Sequence, residues 1–254
     1  MDKLFWIEGL PGTGKTSVAE KLKTHFENKG YIVHCLMEEN PQIPTDFCHI
    51  AALPKVVYEE MILTNNNIGK LAMCVDDFCF IHIDSAPKKM QEELYKYDIG
   101  DEFNSNFDAQ KYIVQGLRRI KGSLENLNEL EGIVIIDSGF LQNPLNEVFY
   151  RHGTDEQAKL YILGIVKLMV NYDCMCIYLD RGNADTSINF AKKVKGDLWY
   201  QRVIEIQNMT ESRNHFSRRY KIEKEIVEKN IMNTSVCRIN KNDWSEADLL
   251  ISRL

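Results

Sequence analysis

No stretch of this chain approaches the ~20 consecutive apolar residues of a membrane-spanning helix, so no membrane partner is expected. The first apolar run begins at Leu4, and no secretion leader is expected ahead of it. Basic residues are not in excess: 31 Lys and Arg stand against 37 Asp and Glu, for a net charge of −6. That balance argues against a general binder of nucleic acid or of anionic membrane. The seven cysteines are odd in number, and Cys35, Cys79, Cys174, Cys176 and Cys237 sit in apolar segments. Buried free thiols in a reducing compartment fit this better than a disulfide framework, and the expected location is the cytoplasm. Cys174 and Cys176 alternate along an apolar run with no nearby Cys/His pair to complete a zinc site, so they are read as core. Internal repeats, low-complexity tracts and linkers are also missing, and residues 1–254 are expected to form a single domain.

Against these absences stands one strong local signal. Gly9-Leu10-Pro11-Gly12-Thr13-Gly14-Lys15-Thr16 spells G-x-x-x-x-G-K-[ST]. Glycines let the backbone curl with its N–H groups inward, forming a nest for anionic phosphate oxygens. Lys15 reaches the terminal phosphates as a point charge, and the Thr16 hydroxyl suits Mg²⁺. The flanks agree with the motif. Leu4-Phe5-Trp6-Ile7 is fit for a buried strand, and the helix that begins at Ser17 carries Val18, Leu22 and Phe26 on one face. Strand, glycine loop and helix N-terminus together place a helix dipole under a phosphate. A chance glycine-rich turn would not need such flanks. The nine residues Gly9, Leu10, Pro11, Gly12, Thr13, Gly14, Lys15, Thr16 and Ser17 are therefore expected to bind a nucleoside triphosphate.

Further along, residues 31–37 read as a second strand, and residues 41–55, with three of the six prolines, as an irregular loop on the substrate side. Residues 56–75 carry a weak helical pattern broken by Asn65-Asn66-Asn67; residues 78–83 alternate as a short strand and 92–97 look helical. A helix over about 109–130 places Tyr112, Ile113, Leu117, Ile120, Leu124 and Leu127 at helical spacing. Ile133-Val134-Ile135-Ile136-Asp137 suits a central parallel strand covered on both faces. Helices are expected from 143 and over about 156–172, then a buried strand over 175–180. Polar-rich helical segments near 184–207 and 213–232, a strand over 236–240 and a helix over 245–254 complete the chain. Strands alternating with helices predict an α/β fold with a parallel, doubly wound sheet flanked by helices.

In such sheets ligands bind beyond the carboxyl ends of the strands, and three acidic groups fall there: Glu38 with Glu39, Asp137, and Asp180. Asp137 suits a metal-side role, directly or through water, although a helix cap or turn residue reads the same way. Either Glu38 or Glu39 can take a proton from an acceptor hydroxyl, the other being a solvated turn acid. Arg181 leaves a buried strand at the active end and is the best basic candidate for closing over phosphates. Lys192, Lys193, Lys195 and Arg202 follow it, most of them suited equally to a solvated helix. Arg118 on the long middle helix offers a cation to an anionic substrate, and Gln142 and Asn143 offer amides just beyond Asp137.

These residues resemble those of the P-loop kinases of the nucleoside and nucleotide kinase superfamily, which includes thymidylate kinase, deoxynucleoside kinases and chloramphenicol phosphotransferase. Leu36-Met37-Glu38-Glu39-Asn40-Pro41 is similar to the acid-bearing Leu-x-Glu-Pro turn of deoxynucleoside kinases. Asp137-Ser138-Gly139 departs from their acid-Arg-Ser, lacking the arginine. The chain also resembles bacterial kinase-like P-loop proteins through Glu8-Gly9, Glu38 with Pro44 and Asp46, Phe140-Leu141-Gln142-Asn143-Pro144, and Trp199 after a Lys-Gly turn. The resemblance implies sheet order 2-3-1-4-5, a substrate-side insertion over about 41–130 and a lid-like region over about 181–232. It implies ATP with Mg²⁺ as cofactors, GTP as the alternative, and Lys15, Glu38 and Arg181 in catalysis. Thr16 and Asp137 would serve the metal, and Gln142, Asn143 and Arg118 the small-molecule acceptor, with homodimer formation left open. A rival class is a nucleotide-dependent switch, or slow ATPase or GTPase, acting through a protein partner. Asn240-Lys241-Asn242-Asp243 comes close to a guanine-reading string, and also reads as a capping turn before Trp244. The roughly 90 residues between the second and third strands favour the kinase, because an acceptor pocket needs such an excursion.

Overall fold

The computed structural model describes residues 1–254 except 39, 41, 65–68, 102, 105, 210–213, 231 and 242. Its strands are β1 (Lys3–Gly9), β2 (Val33–Leu36), β3 (Ile50–Pro54), β4 (Ala72–Val75), β5 (Phe78–His82), β6 (Ile133–Asp137), β7 (Cys174–Asp180) and β8 (Thr234–Arg238). Helices are α1 (Lys15–Asn28), α2 (Lys55–Thr64), α3 (Lys88–Tyr95), α4 (Ala109–Asn128) and α5 (Gln142–Tyr150). They continue with α6 (Asp155–Met169), α7 (Ala184–Lys195), α8 (Asp197–Met209), α9 (His215–Glu228) and α10 (Ser245–Arg253).

Strands with a long continuous apolar run cannot keep a solvated face, and β1, β6 and β7 accordingly form the middle of a five-stranded sheet. The order is β2-β6-β1-β7-β8, with every neighbouring pair parallel. Counted within this sheet alone it reads 2-3-1-4-5. The two-residue period of the strands divides the core. Trp6, Val134, Ile136, Cys176 and Tyr178 face one apolar layer with residues of α4, α5, α6 and α9. Phe5, Ile7, Ile133, Ile135, Ile177 and Leu179 face the other, against α1 and α10. Each such fully buried aliphatic or aromatic side chain contributes ~1.5–3 kcal/mol over exposure. Cys174 and Cys176 share the first layer, as their alternation implies. This is a P-loop α/β architecture, with the glycine loop joining β1 to α1.

Between β2 and β6 the chain builds a second sheet, antiparallel, in the order β3-β5-β4. Two expectations fail here. Residues 50–54 are a strand and not irregular loop, and residues 72–75 are a strand and not the end of a weak helix. Both runs are too short to show a period, and long-range pairing decides their conformation: Ala51, Ala52 and Leu53 are completely or almost completely buried against β5. β4 turns into β5 through Asp76, whose φ of 52° is the left-handed conformation that Asp tolerates in tight turns. The expectation of free thiols throughout fails as well. Cys74 and Cys79 face each other across the hairpin and form a disulfide, while Cys35, Cys48, Cys174, Cys176 and Cys237 are free. The single segment anticipated near 184–207 is two helices, α7 and α8, because Gly196 at φ 85° ends the first. Asn65-Asn66-Asn67 lie outside the described residues. Among the described residues no helix is long and apolar enough to cross a membrane.

One polar cluster interrupts the first apolar layer, directly beneath the glycine loop. Glu8 is fully buried on β1 and accepts a hydrogen bond from the Phe140 backbone N–H at 2.6 Å. Arg219 and Glu223, one turn apart on α9 and equally buried, pair at 2.6 Å, and the Tyr178 hydroxyl donates to Glu223 at 2.8 Å. Burial, reinforced by the charge of Glu223, pushes the Glu8 carboxyl up from 4.5 to about 7, against the pull of Lys15 and Arg219. The unfolded chain therefore loses this proton near 4.5 while the fold holds it until about 7. Folding takes up a proton in between, so Glu8 makes stability decline as pH rises through that window. Replacing Glu8 by Gln should flatten the fall in denaturation midpoint between these pH values. A parental slope in the variant would remove Glu8 as its source.

Candidate functional site

The loop between β1 and α1 is held from outside as much as by its own backbone. Gly14 caps α1 with a φ of 97°, and a Cβ there would lie 2.6 Å from the Trp244 indole nitrogen. A Cβ on Gly12 would lie 2.7 Å from the Ser187 carbonyl oxygen on α7. The Trp244 indole N–H donates to the Thr13 carbonyl at 3.2 Å, and the Thr13 hydroxyl donates to the Leu10 carbonyl at 2.9 Å. Leu10 is buried in a separate apolar cluster with Ala184, Val203 and Phe216, which ties the loop to α7, α8 and α9.

At the start of α1, Lys15 is buried and its ammonium donates to the Gly9 carbonyl at 3.1 Å. Burial lowers its pKa from the usual value, opposed chiefly by the charge of Glu38 and less by Asp137 and Glu8. Next to it the Thr16 hydroxyl donates to Asp137 Oδ2 at 2.6 Å. Asp137 ends β6 almost without exposure, and burial raises its pKa against the hydrogen bond from Thr16 and the charge of Lys15. Glu38, beyond β2, accepts from the Gln142 side-chain amide at 2.8 Å. The oxygen of that same amide lies 3.4 Å from Arg219, whose guanidinium also lies 3.4 Å from the Gly9 carbonyl and from Asn146 Oδ1. A chain of contacts thus runs from Glu38 through Gln142 and Arg219 to the loop.

Two cavities meet at this point. The first, about 450 Å³, is floored by Pro11, Gly12, Gly14, Lys15, Thr16 and Ser17 and roofed by side chains of α7, α8 and α9, including Phe190, Lys195, Trp199, Arg202 and Arg219. The second, about 290 Å³, is bounded by Thr45, Asp46, Phe47, Asp137, Ser138, Asn143 and Glu147. Glu38 lines both. So does α5, through its helical period: Gln142 and Asn146 face the first cavity, and Asn143 and Glu147 the second.

The structure brings together Lys15, Thr16, Asp137, Glu38, Gln142 and Asn143 from the residues read in the sequence. It separates two others from them. Arg181 does not line either cavity; its guanidinium lies 3.8 Å from the centre of the Phe190 ring and donates to the carbonyls of Gly12, at 2.8 Å, and Lys241. It braces the back of the loop, because a residue leaving β7 finds backbone carbonyls before it finds the cavity. Arg118 lies over Phe78 at 4.9 Å and bonds to Gln115, also outside both cavities. Asp180 is occupied by Lys224, Tyr220 and the Gly182 backbone. Glu39 and Asn242 lie outside the described residues. Asp243 accepts from the Ser245 backbone N–H at 2.9 Å in the turn that leads into α10 through Trp244.

Arg219, Asn146 and Trp244 were not evident as site residues in the sequence. A signal for Arg219 existed: Phe216, Ile222 and Ile226 form the apolar stripe of α9, and Arg219 with Glu223 falls on it at i,i+4 spacing. A charged pair on an apolar stripe marks a buried polar site.

No family model matches the sequence, and no curated protein matches it. Among solved structures the chain is similar to deoxyadenosine kinase from M. mycoides with bound dATP, at 15% identity over 98% of each chain and a TM-score of 0.45. It is also similar to thymidylate kinase from Ehrlichia chaffeensis, at 13% identity over 99% of this chain and 95% of that one, with a TM-score of 0.42.

Proposed function

We propose that the chain is an ATP-dependent small-molecule kinase that moves the γ-phosphate to an acceptor, with GTP as the alternative donor. The observation that carries this reading is the position of Glu38, a carboxylate on the boundary between the phosphate nest and a second cavity. A nucleotide switch needs the nest but has no use for an acceptor-sized space beside it. In this reading the loop amides and Lys15 hold the β- and γ-phosphates, and Arg219 adds a second fixed cation. Residues 181–232 serve as the lid that excludes water, with Lys195 and Arg202 facing the phosphates, and residues 41–130 shape the acceptor side.

The neighbouring oxygens of Thr16 and Asp137, 2.6 Å apart, are hard donors of the kind Mg²⁺ takes alongside phosphate oxygens and water, so these two residues would hold it. When bound, Mg²⁺ neutralises charge on the β- and γ-oxygens. The acceptor oxygen bonds to the γ-phosphorus as the bond from that phosphorus to the β–γ bridging oxygen breaks. The acceptor proton passes to Glu38, which Gln142 orients.

Lys15→Ala should abolish turnover and weaken ATP binding, since Lys15 is the loop's own cation. Parental turnover in that variant would show the motif to be decorative. Glu38→Gln keeps size and the hydrogen bond from Gln142 while removing proton acceptance. Turnover should fall by the ~10²–10⁴-fold typical of a lost general base, with ATP affinity changing only slightly. If turnover survives in the Gln variant with an identified acceptor, the base is elsewhere.

A further inference from the structure

Resting on that kinase reading, we infer that the acceptor is a small, phosphate-free molecule rich in hydrogen-bond donors, carrying an amine as well as a hydroxyl. Among the described residues, the lining of the second cavity carries four carboxylates, Glu38, Asp46, Asp137 and Glu147, and no Lys, Arg or His. Ionised carboxylates only accept hydrogen bonds, so the ligand has to bring the donors. A phosphate on the acceptor would meet like charge instead.

Three cations act on this wall from outside its lining: Lys15, turned to the Gly9 carbonyl, through Glu38 and Asp137, and Arg119 and Arg151 from behind. Arg151 pairs with Glu147 at 2.6 Å, but its guanidinium lies over Tyr112 at 4.2 Å and is bonded to the carbonyls of Ile99 and Phe107, behind the wall. Arg119 lies over Phe47 at 4.8 Å and donates to the Pro44 carbonyl at 2.8 Å, again behind the lining, from where the charge of Asp46 opposes the lowering of its pKa by burial. Asp46 accepts the Cys48 backbone N–H on Oδ1 and, among the described residues, has no ion-pair partner. It is the group placed to meet an ammonium, with Glu38 left to meet the hydroxyl.

A second and independent observation marks this space as a binding site. Thr45 lines the cavity, is 1% exposed, and its hydroxyl has no hydrogen-bond partner. A buried hydroxyl is normally satisfied, and this one can accept from or donate to a ligand group. Gly139 leaves room for that hydroxyl, since a Cβ there would come within 2.6 Å of its oxygen. Apart from Asp137, which would share Mg²⁺ with Thr16, these carboxylates do not form a metal centre: among the described residues no three His, Cys, Asp or Glu converge well enough to hold an ion. A volume of about 290 Å³ suits a monosaccharide, a cyclitol or a nucleoside.

The test is a phosphate-transfer screen with labelled ATP and Mg²⁺ on matched triads of sugars, cyclitols and nucleosides. Each triad holds the parent hydroxyl compound, its amino derivative and its phosphorylated form. The amino members should show the highest kcat/KM and the phosphorylated members the lowest. Asp46→Asn keeps the turn bond to Cys48 and should raise KM for the amino acceptor about tenfold or more, with kcat nearly unchanged and a smaller effect on the neutral parent. Phosphorylated or neutral members outperforming the amino forms, or an equal effect of Asp46→Asn on amino and neutral acceptors, would overturn the inference and leave the kinase reading in place. Transfer to no member of any triad, with ATP bound, would overturn the kinase reading and the inference together.

Discussion

A lysine ammonium buried at a helix N-terminus is doubly unfavourable, taken out of water and set against the positive end of the helix dipole. Lys15 is held there because acids surround it from three strands: Glu8 on β1, Glu38 beyond β2 and Asp137 at the end of β6. The order β2-β6-β1 makes those three strands neighbours, so the sheet topology is what brings the counter-charges together. Arg219 adds more positive charge and is balanced in turn by Glu223. The result is a fixed pair of cations under the glycine loop, the preorganised charge that the proposed phosphoryl transfer would require.

The same loop is also a mechanical junction. Leu10 is buried among side chains from α7, α8 and α9, Trp244 from the turn before α10 bonds to Thr13, and Arg181 bonds to Gly12. The helices that roof the first cavity are therefore packed on the loop that floors it. In the proposed kinase, a movement of α7–α9 would be felt by the loop that holds the phosphates, the kind of coupling by which lids complete a catalytic site.

The glycine loop and the three central parallel strands were legible because each leaves a local trace: fixed spacing in one case, and apolar runs bounded by turns in the other. Asp137 and Glu38 followed from their places at strand ends. β3 and β4 were not legible, since four or five residues show no period and their conformation comes from pairing with β5. The Cys74–Cys79 disulfide depends on that same pairing. Arg181 shows the limit of arguing from position alone, for the strand end brings the residue near the loop without saying which side of it the guanidinium takes. Arg219 lies 210 positions from Gly9 in sequence and meets it only after α9 has docked on the sheet.

The account turns on a phosphate nest that opens, at Glu38, onto an acceptor cavity. A crystal structure of the protein with Mg²⁺ and a non-hydrolysable ATP analogue examines this most directly. The γ-phosphate is predicted between Lys15 and Arg219, with its open face toward Glu38 and the second cavity. A triphosphate bound outside the Gly9–Ser17 loop, or a γ-phosphate screened from Glu38 by protein, would contradict it.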